Sequence, residues 1–237
     1  MGLMSRDKNS GKSSRENAAL PYRRYWHALY RRDVAAASHL VDDALCTATP
    51  QRIYLRLFEP ALNLSGRLWA NGAITHADEH FVTHHTLRFM RRVRRQFVPA
   101  HTNGPLAVAT GVGQESHLIG LRMVCDFLRW ANWRICWLPS NDRAVAADHV
   151  RRLRPSAVLL SIGQEEGVTG ATRLVGQLRR MHFGGVVAIG GRAVNMNPSL
   201  VERVGADLTA RNGPGLVRML RPRFPRTGRR FATAASP

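Results

Sequence analysis

The sequence predicts two folded parts in series: an all-α helical bundle, then an α/β domain built on a five-stranded, doubly wound parallel sheet. Three observations lead to that expectation. From about Tyr22 to Phe97 the apolar residues recur at helical spacing. The stretch "VPAHTNGP" at 98–105 then interrupts the period with two prolines and a glycine. Beyond it, short apolar runs ending in glycine or proline alternate with amphipathic runs of helical length, as expected for parallel strands joined by crossover helices.

The helical part reads as several segments. "RDVAAASHLVDDALCTA" sets Val34, Leu40, Val41 and Leu45 near one face. "TPQRIYLRLFEPALNLSGRLWAN" opens with a threonine cap and a proline, and Asn71-Gly72 ends it. Thr75 then caps "HADEHFVTHHTLRFMRRVRRQF", with Asp78 in the capping-box position. Short connections between such helices favour an antiparallel bundle.

In the second part "PLAVATG", "WRICWLP", "AVLLSIG", "GVVAIGG" and "ADLTA" read as strands. "SHLIGLRMVCDFLRWAN", "RAVAADHVRRLR", "TGATRLVGQLRRM", "PSLVERVG" and "GPGLVRMLRP" read as the helices between and after them. The order is that of a flavodoxin-like sheet, in which ligands sit beyond the carboxyl ends of the strands, where the strand order reverses. The expected division is a polar, disordered tail at 1–20, a bundle at 21–98, a sheet domain at 104–222 and a basic tail at 223–237.

Composition narrows the function. The net charge is +19, almost all of it from arginine, and Lys8 and Lys12 are the only lysines. The folded body therefore has no side-chain amine for Schiff-base chemistry. Such a balance points either to acidic partners or to well-solvated arginine-rich helix faces. Cys46, Cys125 and Cys136 make no paired framework and read as small buried apolar residues of a reducing cytosol. With no spanning apolar run and no secretory leader, a cytoplasmic location away from membranes is expected.

The first strand-to-helix loop, "GVGQESHLIG" at 111–120, does not have the glycine spacing of a dinucleotide site. Glu115 and His117 stand where a pyrophosphate needs bare backbone. Neutral imidazole is a common metal ligand, and a nearby carboxylate typically fixes its tautomer, so His117 reads as a metal ligand oriented by Glu115. The alternative is a histidine at a helix start.

A second cluster, "HADEHFVTHH" at 76–85, spells H-x-x-E-H, the string of one class of zinc protease. Glu79 and His80 are adjacent and reach one ligand over the helix start, while His76, His80 and His84 share a stripe and His85 begins another. A polar surface stripe is the alternative reading.

"ESHLIG" resembles the D/E-x-H-x-x-G signature of cobalamin-binding domains in which histidine replaces the vitamin's own lower base. The continuation "GLRMVCDFLRWANWRICWLP" resembles the same family, as do Ser161 in "LLSIG" and Gly190-Gly191 in "AIGG". The resemblance implies that His117 binds cobalt. It also implies that Glu115, Ser116, Leu118, Ile119, Gly120, Ser161, Gly163, Gly190 and Gly191 line the cofactor and its displaced nucleotide tail. Gly163 departs from the pattern, where leucine or threonine is usual.

"RLWANGAITHADEHFVTHH" is similar to the W-x9-E-H element of light-sensing cobalamin regulators of the CarH and LitR type, with Trp69, Glu79 and His80 at the matching positions. In those proteins this helical cap lies over the upper face of the corrin and contacts the adenosyl group. The resemblance therefore implies a photoreceptor that binds adenosylcobalamin in the dark, loses the upper ligand in light and changes shape or partner. With only polar residues ahead of the bundle, the chain looks most like the stand-alone AerR or PhotoCob kind. In the CarH type the residue after the tryptophan is the histidine that binds cobalt after illumination. Here it is Ala70, so the expected photoproduct is either aquo/hydroxo-cobalamin or one in which another cap histidine, His84 or His76, takes that role.

Two other functions fit the same residues: a corrinoid methyl carrier serving a methyltransferase, and, more remotely, an H-x-x-E-H zinc metalloprotease. The regulator reading implies a transcription-factor partner and leaves room for a homo-oligomer. The arginine runs "RRVRR", "RRLR" and "RPRFPRTGRR" offer non-specific nucleic-acid contact.

Overall fold

The structure, a computed structural model, describes residues 21–97, 103–113, 118–138 and 142–224. The chain divides into two compact units, residues 1–98 and 99–237.

The first unit holds helices α1 (Pro21–Tyr30) and α2 (Val34–Thr47), a helix in three parts, and α5 (His76–Gln96). The three parts are α3 (Pro50–Ile53), a π-helical turn (Tyr54–Phe58) and α4 (Glu59–Ala70). Proline explains the interruption. Pro60 has no N–H to give, and its ring opposes the carbonyl one turn back. The chain shifts register just before it, so that the Glu59 N–H bonds the Tyr54 carbonyl, five residues back. Periodicity alone reads the segment as one regular helix.

Helix α5 begins with the expected capping box. Thr75 Oγ1 accepts from the Asp78 N–H at 3.1 Å, and the Thr75 N–H donates to Asp78 Oδ2 at 3.0 Å. Tyr25, Leu29, Ile53, Tyr54, Phe58, Val82 and Val93 fill the bundle core. The two tyrosine hydroxyls keep partners there: Tyr25 pairs with Thr86 Oγ1 at 3.0 Å, and Tyr54 donates to the Met90 carbonyl at 3.2 Å. In α2 the buried residues are Ala37 and Val41, whereas Val34, Leu40 and Leu45 are only partly covered. The small side chain of Ala37 makes the close approach, which a search for large apolar residues passes over.

The second unit is the five-stranded sheet, all parallel, in the order β2-β1-β3-β4-β5. Its strands are β1 (Leu106–Gly111), β2 (Arg134–Trp137), β3 (Ala157–Ser161), β4 (Val186–Gly190) and β5 (Leu208–Thr209). Helices α6 (Ile119–Trp130) and α11 (Gly213–Leu220) pack with the core layer containing Ala107, Ala109, Leu159 and Ala188. Helices α7 (Arg143–Leu153), α8 (Glu166–Arg180) and α10 (Leu200–Val204) pack with the layer containing Val108, Val158, Leu160 and Ile189. Alternate residues of each strand thus serve opposite layers, and both faces are covered, as a parallel sheet requires. A short helix, α9 (Arg192–Met196), follows β4; five residues are too few to produce a readable period. A Cβ at Gly213 would stand 2.3 Å from the Phe127 ring, so glycine lets the start of α11 sit directly on α6.

Asp207, just before β5, ties this unit together. Its Oδ2 accepts from the Val187 N–H at 2.6 Å, and its Oδ1 meets Arg179 at 2.8 Å. Burial opposes its charge, but these bonds and the nearby arginines outweigh that and hold its pKa below the usual carboxylate value.

Candidate functional site

The carboxyl ends of three neighbouring strands form one row. Gly111 of β1 is in register with Ser161 of β3, and Ser161 is in register with Gly190 of β4. This row includes the β1/β3 junction, where strand order reverses and open α/β sheets admit ligands. Ser161 is buried. Gly190 and Gly191 are partly exposed and have different needs. A Cβ on Gly190 would meet nothing within 4 Å, so the space beside it is open. Gly191 has φ +102°, and a Cβ there would stand 2.5 Å from the Ile162 carbonyl oxygen. Only glycine suits that turn.

Leu118 and Ile119 lie half-buried at the start of α6, Gly120 is exposed on its first turn, and Gly163 is partly covered just after β3. Glu115, Ser116 and His117 lie outside the described residues. The row of glycine and serine fits a ligand tail running along the sheet edge, because nothing larger than a hydroxymethyl group projects from it.

In the bundle unit, Trp69, His76, Glu79 and His80 form a chain of contacts. The Trp69 ring centre is 5.8 Å from that of His76, and the His76 ring centre is 3.9 Å from that of His80. His80 Nδ1 lies 3.0 Å from Glu79 Oε2, and Glu79 Oε1 accepts from Thr83 Oγ1 at 2.6 Å. Glu79 is only 8% exposed, while Trp69 is 37% exposed. The carboxylate sits in the first turns of α5, where the helix dipole favours negative charge. The result is an indole and imidazole surface held from beneath by a buried carboxylate. Thr83, one turn from Glu79, is the supporting residue that motif spacing does not reveal.

His84 is exposed on the same helix, its ring centre 5.4 Å from that of His85. His85 in turn lies 4.3 Å from the Phe81 ring, over which the Arg32 guanidinium sits at 4.1 Å. Burial first, then the charges of His84, Arg88 and Arg32, push the His85 pKa below the ordinary histidine value. Among the described residues no group of three histidine, cysteine or carboxylate side chains is placed to hold a metal ion.

Comparisons with known proteins agree with this architecture. Residues 22–94 match the family model described as the B12 binding domain. The monomethylamine corrinoid protein of Methanosarcina barkeri superposes with a TM-score of 0.74 at 16% identity, covering 84% of this chain and 96% of that one. A cobalamin-binding protein from Desulfitobacterium hafniense matches at 20% identity over 84% and 96% of the two chains, with a TM-score of 0.47. The methanol:cobalamin methyltransferase complex of Methanosarcina barkeri matches at 13% identity over 93% of each chain, with a TM-score of 0.48. No curated protein matches the sequence. The first superposition establishes the fold: a helical unit followed by a Rossmann-like sheet of the B12-binding type. No helix among the described residues is long and apolar enough to cross a membrane.

Proposed function

We propose that this chain binds a cobalamin-type corrinoid, with His117 as the protein ligand to cobalt and Glu115 holding its imidazole. The observation that carries this reading is the in-register row Gly111, Ser161 and Gly190 at the sheet's switch point, open above Gly190. Ser161, Gly190 and Gly191 would accept the nucleotide tail, and Leu118, Ile119 and Gly120 would border it at the start of α6. The B12 binding domain match over the bundle supports the same ligand class. A bound corrinoid would supply a weak, light-sensitive cobalt–carbon bond; His117, held by Glu115, would bind the cobalt, and the small residues of the sheet edge would orient the cofactor.

The role best supported by the comparisons is that of a corrinoid carrier, which holds an alkyl group between a donor and an acceptor enzyme. Such a carrier needs a methyltransferase as partner. A second reading, a light sensor loaded with adenosylcobalamin and read by a transcription factor, is favoured by one observation. That observation is the contact chain Trp69, His76, His80 and Glu79, a preformed aromatic and imidazole surface at the positions that contact an adenosyl group in the CarH type.

Dark reconstitution with methylcobalamin and adenosylcobalamin, each followed by green illumination and light scattering, separates the two. A carrier retains the methyl form and keeps one hydrodynamic size in light. A sensor holds the adenosyl form more tightly and changes size when lit. Uptake of neither compound overturns both.

A further inference from the structure

Carboxylates are distributed unevenly between the two faces of the sheet unit. Helices α7, α8 and α10 with their caps carry Asp142, Asp148, Glu165, Glu166 and Glu202 among their arginines. Several of these charges are paired: Asp148 meets Arg151 at 2.9 Å and Arg152 at 2.8 Å, and Glu165 meets Arg203 at 3.8 Å.

The other face differs. Arg122 on α6, Arg211 before α11, Arg218 on α11, and Arg221 and Arg223 just after it are all exposed. The one carboxylate on α6 and α11 is Asp126, only 1% exposed and paired with Arg129 at 2.7 Å. Asp207, which feels the charge of Arg223, is already held by Arg179 from the opposite layer. A general preference for arginine would load both faces alike; it does not explain why, among the described residues of these helices, the carboxylates are concentrated on one face.

We propose that the outer face of α6 and α11 is a docking face for the phosphate backbone of duplex nucleic acid. The planar guanidinium fork matches phosphate oxygens and keeps its charge at any working pH. Arg218 and Arg221 are three residues apart and so project as neighbours. Single strands are held mainly by stacking bases on aromatic rings, and among the described residues of this face no ring is fully exposed, Trp130 and Phe224 being only partly so. Trp133 is 6% exposed, and Trp137 is covered by the Arg122 guanidinium at 4.2 Å. Protein interfaces need apolar anchors at their centre. Among the described residues of this face the one exposed large apolar side chain is Met219, 44% exposed. Contacts of this kind position a protein on DNA without reading its sequence. The proposal does not depend on corrinoid binding.

The test uses the full chain and a mixed-sequence DNA duplex, with binding followed by fluorescence anisotropy across a salt series. A variant combining Arg218→Ser, Arg221→Ser and Arg223→Ser is compared with one combining Arg151→Ser, Arg152→Ser and Arg173→Ser, which removes equal charge from the opposite face. The expected result is a loss of about tenfold or more in affinity at low salt for the first variant only. Its slope of log affinity against log salt should flatten by about 0.9 for each phosphate contact removed. Thermal melts of both variants check that each is folded. Equal losses in the two variants, or no binding by the parent chain, would overturn the proposal. So would displacement of the duplex by polyglutamate at equal charge, since an acidic protein would then be the better occupant.

Discussion

Glu79 shows how much chemistry one side chain can organise. It is a nearly buried carboxylate whose oxygens face a threonine hydroxyl and an imidazole. Replacing Thr83 by valine keeps the shape of that residue and removes the donor. The expected cost is about 1–3 kcal/mol of unfolding free energy, measured by urea denaturation, because a buried acceptor loses its partner. The neighbouring His85 makes a pH prediction. Its folded pKa is depressed, so below the unfolded value of about 6.5 the unfolded chain takes up the proton first. Its contribution to stability is therefore complete above that pH and is lost as pH falls through the folded pKa. Proton NMR titration should place the His85 midpoint below that of a free histidine, and His85→Leu should remove this part of the acid destabilisation.

The elements were legible in the sequence wherever local chemistry sets them. The Thr75 and Asp78 capping box could be read directly, because its bonds lie within four residues. The five strands could be read as well, since a parallel sheet covered on both faces demands short continuous apolar runs. Three features were not legible. Ala37 is buried because neighbouring helices approach it; the π turn before Pro60 is a register shift, and α9 is too short to show a period. The site divides in the same way. Ser161 and Gly190 were expected from their motifs, but their alignment with Gly111 in one row is a property of strand register. That register makes a prediction about the edge. Gly190→Leu places its side chain in open space, so thermal stability should change little while corrinoid uptake is largely lost. Gly191→Ala should instead destabilise the fold by roughly 2 kcal/mol or more, since it meets the Ile162 carbonyl at a strained φ.

At the scale of the whole molecule, each of the two units carries chemistry of its own. The bundle unit offers an indole, two imidazoles and a buried carboxylate; the sheet unit offers a small-residue edge at its switch point. The sheet unit also depends on pH through Asp207, whose folded pKa is depressed. Its stabilisation is present above the unfolded carboxylate value of about 3.9 and is lost as pH falls through the folded pKa. Acid unfolding of Asp207→Asn should accordingly show a shallower pH dependence than the parent in that range. The central claim is that a histidine of this protein, His117, replaces the vitamin's own base on cobalt. Its most direct test is electron paramagnetic resonance of the bound cobalt(II) form, using protein grown with nitrogen-15 histidine. Ligation by protein imidazole predicts that the nitrogen splitting changes from triplets to doublets and that His117→Ala abolishes the effect. Triplets that persist in the labelled protein would mean that the vitamin keeps its own base, which contradicts the account.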